Sequence, residues 1–509
     1  MFFPEFDSGL PSGTARQHVF DPPLSLHILH FRAPNPLAGG IALTPPRSGK
    51  PAQKPGKARL TEAEKQAEEL AAANYPGLPA RVVAATMLAE VAGAGHALDE
   101  RFGGDDLNPK LAALEPRDRA LARSIATVGL RRLGTIRHAL GKLLDRGLPK
   151  GAAGLEWVLV AGAAQILFLD VPDHAAVDLA VRAVRLDPKT AAFAALVNGV
   201  LRNLARERET LIADCTPIDT DTPAWLAARW RKTYGAEQAA AIASAHGREP
   251  TLDLSVKSDA EGWARKLGGI VLPTGSVRLL AHTPVADLEG FAEGEWWVQD
   301  AAAALPARLL APAPGMRVAD LCAAPGGKCA QLAAMGAEVV AVDRSAERLK
   351  RLALNLERLK LTAESLVADA ANVKAQPFDA ILVDAPCTAT GTIRRHPDVA
   401  WTKRSTDIAS LALLQSRILD HAARLLKQGG RMVYCSCSLE PEEGEMQISA
   451  LLRRNPDLMR DPILPGEIPG IADCINAQGE LRTLPFHLPG SEPRLSGLDG
   501  FFAARLVRR

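Results

Sequence analysis

Between Thr61 and about Arg208, apolar residues return every three or four positions, as at Leu121, Ile125 and Val128, with Gly and Pro between the segments. Six such runs, from TEAEKQAEELAAAN to KTAAFAALVNGVLRNLARERE, predict amphipathic helices, because that period places the apolar side chains on one face. An all-helical bundle is expected there. After a connector, CTPIDTDTPAWLAARWRKTYG, the period changes. TLDLSVK alternates as a strand does, EGWARKLGG reads as a short helix and SVRLLAHTPVADLEGF as further strand, which together predict a small α+β module. From Gly315 the apolar residues come in short unbroken runs, GMRVADL, AEVVAVD and FDAILV, the pattern of parallel strands buried on both faces. Then LALLQSRILDHAARLLKQ leads as a helix to Gly429 and Gly430, and RMVYCSCS forms a last strand. The chain is thus expected to be multidomain: a flexible arm at 1–60, the helical bundle at 61–210, connector and α+β module at 211–300, and a Rossmann-like α/β domain at 301–509.

Composition sharpens this picture only in places. A chain of 509 residues with 47% hydrophobic content has material for two or three cores. Its formal net charge of +2 demands no polyanionic partner, so any such argument must rest on local patches. Pro22 to Leu60 carries six Arg or Lys residues and no acid, and Arg101 to Lys150 carries eleven basic residues against five acidic ones. Such runs are more often solvated faces than binding faces. The eight prolines from Pro22 to Pro55 mark the first of them as a flexible basic arm. Glu5, Asp7 and Asp21 count against a mitochondrial presequence, and MFFPEFDSGLPSG lacks the charged and apolar regions of a secretory signal. Seven cysteines, five of them between Cys322 and Cys437, fit a reduced, cytoplasmic setting. No run approaches the roughly 18 apolar residues of a spanning helix, so no membrane partner is expected. Cys435-Ser436-Cys437 has no second pair at ligand spacing, and no metal is expected.

The candidate chemistry lies at strand ends. GMRVADL, CAAPGGK and CAQLAAM give the strand, glycine loop and helix of a nucleotide-type site. AEVVAVD ends in Asp343, 23 residues after Asp320, where an acid would accept both hydroxyls of a ribose. The string AAPGGKC is neither GxGxxG nor a P-loop. Asp369 in SLVADA and Asp384 in ILVDAPC end further strands. Acids in such places must be neutralised or hydrogen-bonded, which makes them poor structural choices and favours ligand roles. A lone buried cysteine is usually an inert small hydrophobe. Cys387 and the pair Cys435 and Cys437 arrive at one rim from two strand ends beside an acid, which weakens that reading. Arg394, Arg395 and His396, before Pro397, have a composition suited to a phosphate backbone.

DLCAAPGGK, VVAVDRS, DAPCTATGTIRRHPD, VYCSCSLEPEEGE, RTLPFHLPG and GLDGFFAARL resemble the RNA 5-methylcytosine methyltransferases of the RsmB/NOP class, most of all its bacterial ribosomal RNA branch, across about residues 61–509. LDVPDHAAVDLAVRAVR and FAALVNGVLRNLAR resemble the NusB family of RNA-binding helical domains. These resemblances imply a class I methyltransferase domain behind a NusB-like bundle. They imply an S-adenosyl-L-methionine loop made by Cys322, Ala323, Ala324, Pro325, Gly326, Gly327 and Lys328, with Asp343 on the ribose, Asp369 on the adenine edge, and Asp384 between cofactor and base. Cys437 matches the family's nucleophile, because its Ser-Thr-Cys-Ser falls on Cys435-Ser436-Cys437-Ser438, and Cys387 matches its second cysteine. Cys435 departs from the pattern, as does SEPRLS between the last two motifs. A cationic cofactor with Lys328 nearby is expected to lower the nucleophile's pKa. Arg119, Arg123, Arg131, Arg132 and Arg137 become the expected phosphate neighbours in the bundle, and the small module is implied to help hold RNA. The implied partner is 16S ribosomal RNA of an unassembled or partly assembled small subunit, acted on by a monomer. Two rivals remain: an RNA-binding assembly factor with a scaffold methyltransferase half, opposed by Asp343, Asp384, Cys387 and Cys437, and an amino-methylating enzyme, which would carry Asn/Asp-Pro-Pro-aromatic where Asp384 leads Ala-Pro-Cys.

Overall fold

A computed structural model describes residues 75–103, 108–280 and 284–509. The expected basic arm and the first expected helix, 61–74, lie outside the described residues.

The bundle is built from α1 (Leu78–Leu88), α2 (Pro116–Arg131), α3 (Leu133–Leu143), α4 (Ala153–Phe168), α5 (Asp173–Leu186) and α6 (Ala194–Ile212). Only α4, AGLEWVLVAGAAQILF, is apolar on nearly every side, which makes it the natural centre of a bundle. Leu88, Ile125, Leu159, Leu201 and Leu204 are fully buried in the core around it. Gly162 has a packing reason: a Cβ there would stand 2.7 Å from Leu201 of α6. The connector becomes one long element, α7 (Ala224–His246), broken at Gly235 with φ +82°.

The small module is an antiparallel sheet of β1 (Asp253–Val256), β2 (Gly269–Val271), β3 (Val277–Leu279) and β4 (Trp296–Val298), in the order β2-β3-β1-β4. Helix α8 (Ala260–Lys266) joins β1 to β2, its first turn capped by Asp259, whose carboxylate accepts from Gly262 N–H at 2.9 Å. One expectation changes here. Among the described residues, SVRLLAHTPVADLEGF supplies strand at Val277–Leu279 alone, and Trp296–Val298 supplies the fourth strand. Two polar positions of TLDLSVK are interior: Asp253 is fully buried against Arg278, and Ser255 donates to Gln299 at 2.8 Å.

The large sheet contains β5 (Arg317–Leu321), β6 (Glu338–Asp343), β7 (Glu364–Val367), β8 (Phe378–Asp384), β9 (Leu426–Ser436), β10 (Leu458–Arg460), β11 (Leu481–Thr483) and β12 (Phe501–Arg508). Its order is β10-β12-β9-β8-β5-β6-β7, with β11 on β12. The five strands from β9 to β7 run parallel, and β12 closes one side antiparallel to β9. From β5 the chain goes to β6 on one side, and β8 lies on the other. The crevice at the carboxyl ends of β5 and β8 is therefore the switch point where such sheets take ligands. The helix before β9 (Ser405–Leu425) ends earlier than expected. Lys427 to Gly430 instead form an irregularity within β9, where pairing jumps from Phe378 with Leu426 to Ala380 with Arg431. Gly429 supplies the φ of +77° that this bend needs.

Candidate active site

The loop after β5 is pinned to its neighbour by backbone bonds: Cys322 and Ala323 N–H both donate to Val342 O, at 2.8 and 3.0 Å. Gly326 turns it at φ +108°, where a Cβ would lie 2.9 Å from Leu352, and α9 (Gly327–Ala334) begins with no side-chain cap on its N–H groups. Asp343 ends β6 almost fully buried, accepting from Ser345 N–H at 2.9 Å and Ala324 N–H at 3.3 Å, with Arg348 at 3.2 Å. It thus fixes the loop it faces. Asp320, in β5, is fully buried and neither carboxyl oxygen has a hydrogen-bond partner. Burial, followed by the charge of Asp384, pushes its pKa up to about 8. An orphaned buried acid beside a glycine cradle suits a ligand carrying positive charge, so these residues fit S-adenosylmethionine. Asp369 stands apart from them: it is exposed, and its carboxylate accepts from Ala371 N–H at 2.9 Å in its own turn.

The second half of the site comes from β8 and β9, whose register pairs Asp384 with Cys435. Alternate residues of a strand share a face, so Cys435 and Cys437 are offered to the same side. Cys387 Sγ lies 3.3 Å from Cys437 Sγ, and Cys435 Sγ lies 3.4 Å from Asp384 Oδ1. Lys328 Nζ reaches the other Asp384 oxygen at 2.8 Å and sits 5.0 Å above the Phe501 ring. Asp384 therefore keeps Lys328 charged against the cost of burial. The protein's own groups alone do not depress the thiol pKa values. The Cys387 thiol and burial push Cys437 well above the usual range, while burial and Asp384 do the same to Cys435. Lys328 opposes both rises but is outweighed by these larger effects.

Glu443, not singled out in the sequence, ties the two thiol-bearing turns together. It is fully buried and accepts from Thr388 N–H at 3.0 Å, Gln415 Nε2 at 3.1 Å and the Thr388 hydroxyl. Gln415 also donates to Pro386 O at 2.9 Å, and Thr388 Oγ1 lies 3.1 Å from Ser438 Oγ. Burial raises the pKa of Glu443 against these hydrogen bonds. Gly391 closes the same corner: its N–H donates to Cys437 O at 2.9 Å, and a Cβ there would come within 2.0 Å of Gly500 O.

The basic segment after Cys387 proves to be interior. Arg394 is 2% exposed and donates to Asp300 at 2.9 Å and Asp499 at 3.4 Å. Arg395 bonds Asp300 and Thr251 O, and His396 Nδ1 lies 3.1 Å from Asp99. Phosphate contact by Arg394 and Arg395 is ruled out by these partners, since distant carboxylates neutralise both. In the bundle, Arg119 donates to Ala112 O and Leu114 O, Arg132 pairs with Asp221, and Arg137 pairs with Glu156. These three arginines have partners within the protein but remain half-buried or exposed, unlike Arg394. Among the described residues, His138, Asp214 and Cys215 gather closely enough to share an ion, but Lys142 already lies 2.9 Å from Asp214.

Two family models match the chain: the 16S rRNA methyltransferase RsmB/F model over residues 307–507, and the NusB family model over 78–206. The ribosomal RNA small subunit methyltransferase B of Xylella fastidiosa (strain Temecula1) is 38% identical over 451 residues, which are 85% of this chain and 98% of that protein. The protein of the same name from Xanthomonas campestris pv. campestris is 39% identical over 463 residues, 87% of this chain and 99% of its own. That from Vibrio cholerae is 37% identical over 84% of this chain and 97% of its own length. The crystal structure of PH0851 shares the fold with a TM-score of 0.64 at 24% identity, over 86% of this chain and 99% of that one. Family models for both halves and relatives matched along nearly their whole length agree with the site just described, and the chain belongs to the RsmB/F family of 16S rRNA methyltransferases.

Proposed function

We propose that this protein methylates carbon 5 of a cytosine in small-subunit ribosomal RNA through a covalent bond to Cys437, with Cys387 assisting product release. The observation that carries this reading is the 3.3 Å approach of two thiols, from two different turns, beside Asp384. Methylation of an amino group needs no protein nucleophile and has no use for such a pair. S-adenosylmethionine is the cofactor, and when bound it supplies an electrophilic methyl group on a sulfonium. Cys322 to Lys328 would hold it with Asp343 on the ribose, Asp369 on the adenine edge and Asp384 at the boundary with the base.

Carbon 5 of cytosine is a weak nucleophile. Attack by the Cys437 sulfur at carbon 6 forms a carbon–sulfur bond, releases the thiol proton and turns the ring into an enamine. That proton passes by way of the Asp384 carboxylate to ring nitrogen 3, where it neutralises the negative charge that the addition creates. Once carbon 5 carries the methyl group, its proton leaves and the sulfur–carbon 6 bond breaks, which returns the Cys437 thiolate. Cys387 stands close enough to pass protons in that step. The base must be unstacked to reach the thiol, which favours free or partly assembled RNA as substrate, and a cytoplasmic monomer suffices for the chemistry.

The two cysteines are expected to fail differently. Cys437→Ala abolishes both methylation and any RNA adduct that survives denaturing electrophoresis. Cys387→Ala still attacks and methylates, then accumulates RNA bound through Cys437, while Cys435→Ser turns over nearly normally. An adduct trapped in Cys437→Ala, or in neither mutant, would sink the assignment of the nucleophile.

A further inference from the structure

Helix α7 lies outside the residues matched by either family model, yet its first half reaches the turn that carries Cys437. Tyr234 donates its hydroxyl to Leu439 O, two residues past Cys437. Trp230 Nε1 donates to one Glu440 oxygen at 3.2 Å, and the Arg229 guanidinium donates to the other and, at 2.6 Å, to Glu442. These contacts are interior. Leu439, Glu440 and Trp230 are each at most 1% exposed, and burial pushes the pKa of Tyr234 up to about 12, so its hydroxyl stays a donor. A straight helix would set residues 230 and 246 about 24 Å apart. Instead α7 folds back at Gly235, and His246 meets Trp230 edge-on with ring centres 5.4 Å apart, which fixes the indole that reaches Glu440. On its other side the turn is tied to the loop of the second thiol: Leu439 N–H donates to Thr390 Oγ1 at 2.9 Å. Because β9 ends at Ser436, the backbone from Cys437 onward depends on such partners outside the ladder.

We propose that Arg229, Trp230 and Tyr234 are positioning residues for the methylation reaction, which hold the Cys437 turn so that its sulfur stays placed for attack on the base. They act through Leu439, Glu440 and Glu442 rather than on the base itself. The inference rests on the reading of Cys437 as nucleophile and deepens it. Reacting atoms must stand within about 3–3.5 Å of each other, and a displacement of about 1 Å can cost about a hundredfold in rate. A turn released on its α7 side has room to drift on that scale. The bundle holds the other thiol's loop comparably, since Arg131 donates to Arg394 O at 3.0 Å. Contacts that merely fastened α7 to the catalytic half would leave the reaction rate of the folded protein untouched, which separates the two roles.

The test uses the full chain carrying Cys387→Ala, in which RNA is expected to stay bound through Cys437, and a transcript of 16S ribosomal RNA. Adduct formation is followed by rapid mixing, quenching and denaturing electrophoresis at saturating RNA and S-adenosylmethionine. Adding Arg229→Met should slow the adduct about tenfold, and Tyr234→Phe, which deletes one hydroxyl at nearly constant shape, about threefold. Cofactor affinity by calorimetry and RNA affinity by anisotropy should both keep the parent's values. If Arg229→Met fails to fold, Tyr234→Phe decides alone. Unchanged adduct rates overturn the positioning role and leave Cys437 as the nucleophile. So does a slowing that higher RNA or cofactor concentration abolishes, because a lost binding contact then explains it. No adduct in the Cys387→Ala parent, with α7 intact, removes the nucleophile reading and the positioning role with it.

Discussion

Removing the Arg394 charge should unfold the centre of the molecule far more readily than its place in a connecting loop suggests. Three guanidinium groups, those of Arg278, Arg394 and Arg395, balance three carboxylates, those of Asp253, Asp300 and Asp499, and every one of them is at most 13% exposed. Arg394→Met keeps most of the side-chain volume but leaves two cations facing three anions without water. Breaking a buried pair from one side costs about 3–5 kcal/mol, which is roughly two to three and a half orders of magnitude in the unfolding equilibrium. Urea unfolding followed by tryptophan fluorescence measures this directly, because Trp296, Trp297 and Trp401 lie in elements joined to the cluster. Arg395 and Arg394 hold Asp300 ionised against burial, whereas burial and the Asp300 charge raise the pKa of Asp499 against the same arginines, so Asp499 is the more easily neutralised of the two. The double variant Arg394→Met/Asp499→Asn, with two cations and two anions, should therefore recover more than half of the loss. A single-mutant cost below about 1 kcal/mol, the scale of a surface pair, would refute the reasoning. So would a double mutant no more stable than the single one.

Asp343→Asn keeps a side-chain acceptor for the loop but loses the charge offered to a ribose, and should weaken S-adenosylmethionine binding by about tenfold or more, read by calorimetry, with RNA affinity nearly unchanged. Equal loss of both affinities would mean that Asp343 holds the fold rather than the cofactor. Asp320 keeps a proton in the folded state up to about pH 8, whereas the unfolded chain releases it near 3.8, so stability falls as pH rises through that window. Asp320→Asn should remove that slope, with an advantage over wild type that grows from about pH 5 to pH 8 in urea titrations without cofactor. A pH-independent difference would show that Asp320 ionises normally.

The parts of the site that could be read from sequence are those carried by local signals. Unbroken apolar runs located the strand ends, and with them Asp343, Asp384, Cys387 and Cys437, because a parallel strand buried on both faces leaves a plain mark in composition. The fate of Arg394 and Arg395 left no such mark. Their carboxylates stand 94 and 105 positions away from Arg394, and a basic tripeptide looks the same whether water or a distant aspartate neutralises it. Glu443 was hidden in the same way within EPEEGE, where four glutamates stand together and only the fold decides that Glu440 and Glu443 turn inward. Trp296–Val298 is too short to show a period, and the bend at Gly429 depends on the pairing of β9 with β8.

The segment from Ile393 to Trp401 belongs as much to the helical half as to the catalytic half. Trp401 donates to Leu130 O at 2.8 Å, Leu98 N–H donates to Asp398 at 3.1 Å, and Ile393, Val399 and Ala400 share a core with Leu226 and Trp230 of α7. A gene fragment encoding only the catalytic half would leave this apolar strip wet, and one encoding only the bundle would lose the lid over Leu130. The two halves are therefore a poor unit of exchange. A chimera that swaps the bundle for another helical domain must carry this segment's complementary surface with it, and natural recombination at the connector faces the same constraint. Inheritance of the pair as one piece follows from how a single catalytic loop is seated.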